Sequence, residues 1–198
     1  MLETHEKSSA VLAGTLLRNT RDPDPAGQMR RVEAHLNQHH PQADHEAISS
    51  LAMTTLHLVN VGGKSAEVFR LLTGMPATTF LTGLEGPKPA STLVLRLLSR
   101  LVDRLERGAV LPTQEVQVIK EFIDGAELAD ATEAVSLMSD AAVFAAYAAV
   151  VSLDATAAYV PTEHRGLIDE LTAELPEFPA PRPPRPQKKR SPKRKKRR

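Results

Sequence analysis

The chain contains no cysteine and no tryptophan, and only two tyrosines and five phenylalanines in 198 residues. Without thiols it can form no disulfide, no thiolate zinc site, no iron–sulfur cluster and no cysteine nucleophile. Catalytic signatures are equally scarce. There is no Gly-x-Ser-x-Gly elbow, and no pair of carboxylates stands apart from the many surface acids. Gly62-Gly63-Lys64-Ser65 resembles the end of a phosphate-binding loop, but that loop needs glycine where Leu58 stands and a strand where a helical pattern runs. His45-Glu46 opens a zincin pattern that fails because Ser49 occupies the second histidine position. The chain therefore reads as a non-enzyme with no cofactor and no bound nucleotide.

Long apolar runs are also missing. The longest, Ala141 to Leu153, is bounded by Asp140 and Asp154. Thirteen helical residues rise roughly 20 Å, short of the ~30 Å hydrocarbon core, which argues against a membrane span. The opening Met1-Leu2-Glu3-Thr4-His5-Glu6 is acidic, unlike the basic start of a secretory signal. Among the first 180 residues arginine outnumbers lysine ten to four, a balance typical of GC-rich bacterial coding sequences. A bacterial cytoplasmic location, extending to the nucleoid, is the expectation.

What the sequence does have is segregated charge. The net charge is +1, yet Pro181–Arg198 carries eleven basic residues and no acid, leaving a balance of −10 for residues 1–180. The basic residues are Arg182, Arg185, Lys188, Lys189, Arg190, Lys193, Arg194, Lys195, Lys196, Arg197 and Arg198. Such a polycation binds nucleic acid by releasing condensed counterions; with every cation engaged, log K would fall with log salt at a slope near −10, and half that is more realistic. No aromatic residue interleaves the clusters, so base stacking is not expected, and nothing is placed to read base edges. Binding through this segment should be independent of sequence. The alternatives are an acidic protein partner for the same segment, with the helical body acting as a scaffold or regulator, or a helical ligand- or metal-binding domain.

Seven of the 23 residues in 176–198 are proline and only Phe178 is large and apolar, which predicts a disordered tail with polyproline character. Residues 1–175 predict an all-α domain, an irregular bundle of seven to nine helices, because apolar residues recur at helical rather than alternating spacing. Helices are expected over 4–19, from Pro25 to before Pro41, and over 43–61, 90–107, 114–124, 127–138, 141–159 and 163–174, with short ones over 65–73 and 77–84. Gly62-Gly63 is taken as a helix stop, Ser65 and Thr113 as caps, and Ser139-Asp140 as a break. The cleanest stripe is Val94, Leu98, Leu101 and Leu105, broadened by Leu97 and Val102, with Arg96, Arg100, Arg104 and Arg107 facing away. Those guanidiniums could clamp phosphates, although Asp103 and Glu106 lie among them.

Two further groups stand out. His35 and His39 are spaced i, i+4, the arrangement two metal ligands need on one helix, and His45 could supply a third. Residues 141–158 are apolar nearly all round, which predicts a buried central helix; the sharper alternative is a homodimer seam centred on Phe144, Tyr147 and Val151. A dimer would pair two tails and raise avidity without new contacts.

Overall fold

A computed structural model describes residues 2–20, 25–77, 79–106 and 113–160. The described residues form α1 (Leu2–Asn19), α2 (Pro25–His39), α3 (His45–Thr73), α4 (Ala90–Glu106), α5 (Thr113–Asp124) and α6 (Ala131–Tyr159), with one 3₁₀ turn at Thr79–Leu81. The fold is all-helical, as the periodicity predicts. The helix expected over 163–174 and the segment 176–198 lie outside the described residues.

Two expected interruptions are absent. The helix does not stop at Gly62-Gly63 but runs 29 residues to Thr73, and the segments expected at 43–61 and 65–73 are one element. Its stop is Gly74, which adopts the left-handed conformation (φ 70°) and donates its N–H to the Arg70 carbonyl at 2.9 Å. Gly62 and Gly63 serve close packing instead. A Cβ on Gly62 would lie 3.3 Å from Leu98 Cδ2 and 3.4 Å from Ala149 Cα, and one on Gly63 only 2.4 Å from Leu101 Cδ2. Ser65, expected as a cap, is fully buried inside the helix.

The second correction is at Ser139-Asp140, where α6 continues unbroken over 29 residues, about 44 Å. Ser139 returns its hydroxyl to the Val135 carbonyl at 2.8 Å, so its polar group is satisfied within the helix. The real start signal is Asp130, whose carboxylate accepts from the Thr132 and Glu133 amides at 2.8 and 3.0 Å. Glu133 reaches back to the Ala129 amide at 2.8 Å, a close variant of the capping box. At its full length α6 is long and apolar enough to cross a bilayer, but two-thirds of its most apolar stretch is buried within this bundle. The short helix expected at 77–84 reduces to the single 3₁₀ turn.

The most extensive interface joins α3 to α6. These two run parallel: Gly62 meets Ala149 and Ser152, Ser65 meets Thr156, and Phe69 meets Tyr159. α1 packs on both members of this pair, as does α4, while α2 lies on α1 and α6. Leu12, Leu16, Leu51, Leu58, Leu93, Leu97, Leu98 and Met138 are the largest fully buried side chains at the centre. α6 supplies mostly alanine there, at 141, 142, 145, 146, 148 and 149, which lets neighbouring backbones approach closely.

Candidate functional site

The histidine group sits where α1 and α2 form an antiparallel hairpin. Gln28 Nε2 donates to the Leu16 carbonyl (3.3 Å) and Thr20 Oγ1 (3.0 Å) at one end, and Ser8 Oγ is hydrogen-bonded to His35 Nε2 (3.2 Å) at the other. His35 and His40 are buried, whereas His39 is exposed. Ring centroids lie 4.8 Å apart for His35–His39 and 6.4 Å for His35–His40. Burial first, and then the proximity of His39 and His40, lower the His35 pKa from 6.5 to about 4. His45 is exposed, at the start of α3, with Ser49 Oγ 3.5 Å from its Nδ1. Among the described residues no group of three or more histidines or carboxylates is arranged to hold a metal ion. The i, i+4 pair is thus placed together as the spacing predicts, but His45 does not complete it, and His35 spends its Nε2 on Ser8.

The arginine face of α4 is divided. Arg96 and Arg100 are exposed, as expected of a solvated face. Arg104 instead forms an ion pair with Glu115 in the first turn of α5, and both side chains are largely buried. This pair ties α4 to α5 and draws one guanidinium away from any phosphate clamp. Arg107 lies outside the described residues.

A buried polar seam between α3 and α6 is the feature that sequence reasoning missed. Ser152 donates to the Gly62 carbonyl at 2.9 Å. Ser65 Oγ and Thr156 Oγ1 are 2.9 Å apart, and Thr156 lies within reach of the Ser65 and Ser152 carbonyls at 3.0 and 2.8 Å. A hydroxyl has one proton, so Thr156 donates to these carbonyls while accepting from Ser65. The legible signal was Ser152 and Thr156, spaced i, i+4 on an otherwise apolar helix. Thr156→Val keeps the shape but removes the acceptor of the buried Ser65 hydroxyl, and should cost about 1–2 kcal/mol in urea unfolding. Adding Ser65→Ala should recover part of that loss, because two apolar partners leave no unpaired group.

Of the three residues expected at a dimer seam, Phe144 is buried within the bundle, packed against Gly86 and 6.1 Å from Tyr147 by ring centroids. Tyr147 is exposed and Val151 half-buried, so these two lie on the outer side of α6.

The acidic charge is concentrated in the second half of the described body. Residues 113–160 contain eight acids and one base, Lys120, whereas residues 1–112 contain eleven acids and twelve bases. Glu121, Asp124, Glu127, Asp130 and Glu133 recur every third residue along the α5–α6 connection, and all five are exposed. Burial raises the pKa of Asp140, farther along α6. All eleven basic residues from Arg182 to Arg198 lie outside the described residues. No family model, curated protein or solved structure matches this chain.

Proposed function

We propose that this protein associates with nucleic acid, without sequence preference, through the cations at positions 182, 185, 188–190 and 193–198, and that its helical body recruits or oligomerises. The supporting observation is the division of charge: eleven cations without an acid in the last 18 residues, against a balance of −10 in the remainder. On this reading the protein is a bacterial, cytoplasmic, nucleoid-associated accessory protein, and no reaction is assigned to it. The body itself, acidic along α5 and α6, would repel a polyanion and compete with it for the cationic segment. Contacts to phosphate therefore rest with the C-terminal residues.

The exposed row from Glu121 to Glu133 favours a second reading, in which the acidic surface is the working part and the basic segment docks an acidic protein. Random-sequence duplex DNA in a gel shift at low and high salt separates the two. Binding by the full chain that weakens with salt and vanishes when residues 181–198 are removed supports the nucleic-acid reading. Equal, negligible retardation by the full and shortened chains overturns it and favours the scaffold.

A further inference from the structure

α2 is held to the bundle largely by polar groups. Among its described side chains the buried ones are Gln28, Val32 and His35, spaced i, i+4, i+7 on one face, with Met29 and Leu36 half-buried beside them. Two of these three inward side chains are therefore polar. Gln28 holds one end of α2 through the Leu16 carbonyl and Thr20, and His35 holds the other through Ser8. α3, by contrast, buries Leu51, Leu58, Val59, Val61 and Phe69. The largest buried leucines lie in α1, α3 and α4, and Met138 lies in α6, so the central core is built without α2. A helix that buries so little apolar surface belongs to the low end of the range of local opening energies.

The His35 anchor is also the one that a proton can break. His35 and His40 are only 5% and 6% exposed, and the His39 and His40 rings lie 4.8 and 6.4 Å from the His35 ring. From α1 the ring meets the Ser8 hydroxyl. The charges that act on it are those of His39 and His40; among the described residues no carboxylate of α1, α3 or α6 does so. Protonating His35 in place would therefore bury a cation beside two other titratable imidazoles, with a hydroxyl and no described counter-charge to receive it. Released into water, the same imidazole takes up the proton without that cost. The docked ring has a pKa of about 4 against the ordinary 6.5, so a released α2 binds the extra proton as the pH falls, and release is favoured below pH 6.5.

We propose that α2 is a proton-released element of the fold: protonation within the His35–His39–His40 group frees it from α1 and α6, while α1, α3, α4 and α6 stay packed. α2 remains tied to the chain at both ends, so release bares the faces of α1 and α6 that it covers. The inference stands whether or not the basic segment binds nucleic acid.

Amide exchange of the full chain at pH 7 and pH 4.5, read by mass spectrometry as protection relative to free-peptide rates, tests the proposal. Protection across residues 29–39 should be lower than across α3 and α6 at both pH values. It should fall about 60-fold between them, the ratio set by a pKa of 6.5 released and about 4 docked. His35→Gln, which keeps a hydrogen-bonding group for Ser8, should remove most of that fall. His39→Gln, at an exposed position, should lessen it by taking one like charge from the group. If residues 29–39 are protected as strongly as α3 and α6 at both pH values, α2 leaves only when the whole bundle unfolds, and the proposal is overturned. An undiminished fall in both variants places the titration elsewhere and overturns it as well.

Discussion

Lowering the pH from 7 to 4.5 should remove about 2 kcal/mol of stability through His35 alone. In the folded protein its pKa falls from 6.5 to about 4, chiefly because burial disfavours the imidazolium and secondarily because His39 and His40 lie close by. A folded-state value below the unfolded one means that the unfolded chain binds the extra proton throughout this window. The stabilisation from a neutral His35 is therefore complete above about pH 6.5 and is lost as the pH falls towards 4. Urea unfolding at several pH values, compared between the unaltered protein and His35→Gln, isolates the effect from the many carboxylates that titrate nearby. The two stability curves should converge as the pH falls; curves that stay parallel from pH 7 to 4.5 would rule out a buried neutral His35.

Gly62→Val should be the most damaging single substitution at the crossing of α3, α4 and α6, costing about 3 kcal/mol, or roughly 6–12 °C in the unfolding midpoint. The site discriminates by size. An alanine Cβ would sit 3.3 Å from Leu98 Cδ2 and 3.4 Å from Ala149 Cα. That is tight, but replacing glycine inside a helix returns about 1 kcal/mol, so Gly62→Ala should be nearly neutral. Valine adds two carbons in the same direction. One neighbour is the backbone of α6, which cannot rotate aside, so the helices must part and strain the Ser152 bond to the Gly62 carbonyl. Gly63 differs because the atoms nearest its missing Cβ all belong to the half-buried Leu101 side chain rather than to a backbone. If thermal melts place Gly62→Val beside the unaltered protein, the helices are not in close contact there.

Helical class was legible because the stripe on α4 and the Asp24-Pro25 start depend on spacing and backbone chemistry within a few residues. Pro25 does open α2, and α4 spans Ala90–Glu106 almost as expected. Gly62-Gly63 was misread because two physical demands select the same residue. A helix stop needs positive φ, and a tight crossing needs the absence of a Cβ; only the tertiary partners Leu98, Leu101 and Ala149 distinguish them. Ser139-Asp140 was misread for a related reason: small polar residues suit a break, yet a serine that returns its hydroxyl to the preceding turn is compatible with continuation. In the candidate sites, the neighbourhood of His35 and His39 was written in their i, i+4 spacing. Ser8, 27 residues away, was not, and neither was the pairing of Arg104 with Glu115 across the α4–α5 connection. Contacts between distant segments leave no local period to read.

The parallel setting of α3 and α6 has an electrical consequence. Peptide dipoles add along each helix, so the two longest helices place their positive poles at the Asp44 and Asp130 end and their negative poles together near Gly74 and Val160. Aspartate caps, with Glu46 and Glu133 in the first turns, offset the positive poles. At the opposite pole Arg70, in the last turn of α3, is paired with Glu67. The two longest helices therefore end side by side at the electronegative pole of a macroscopic dipole, where a cation is favoured and a carboxylate disfavoured within the last turn.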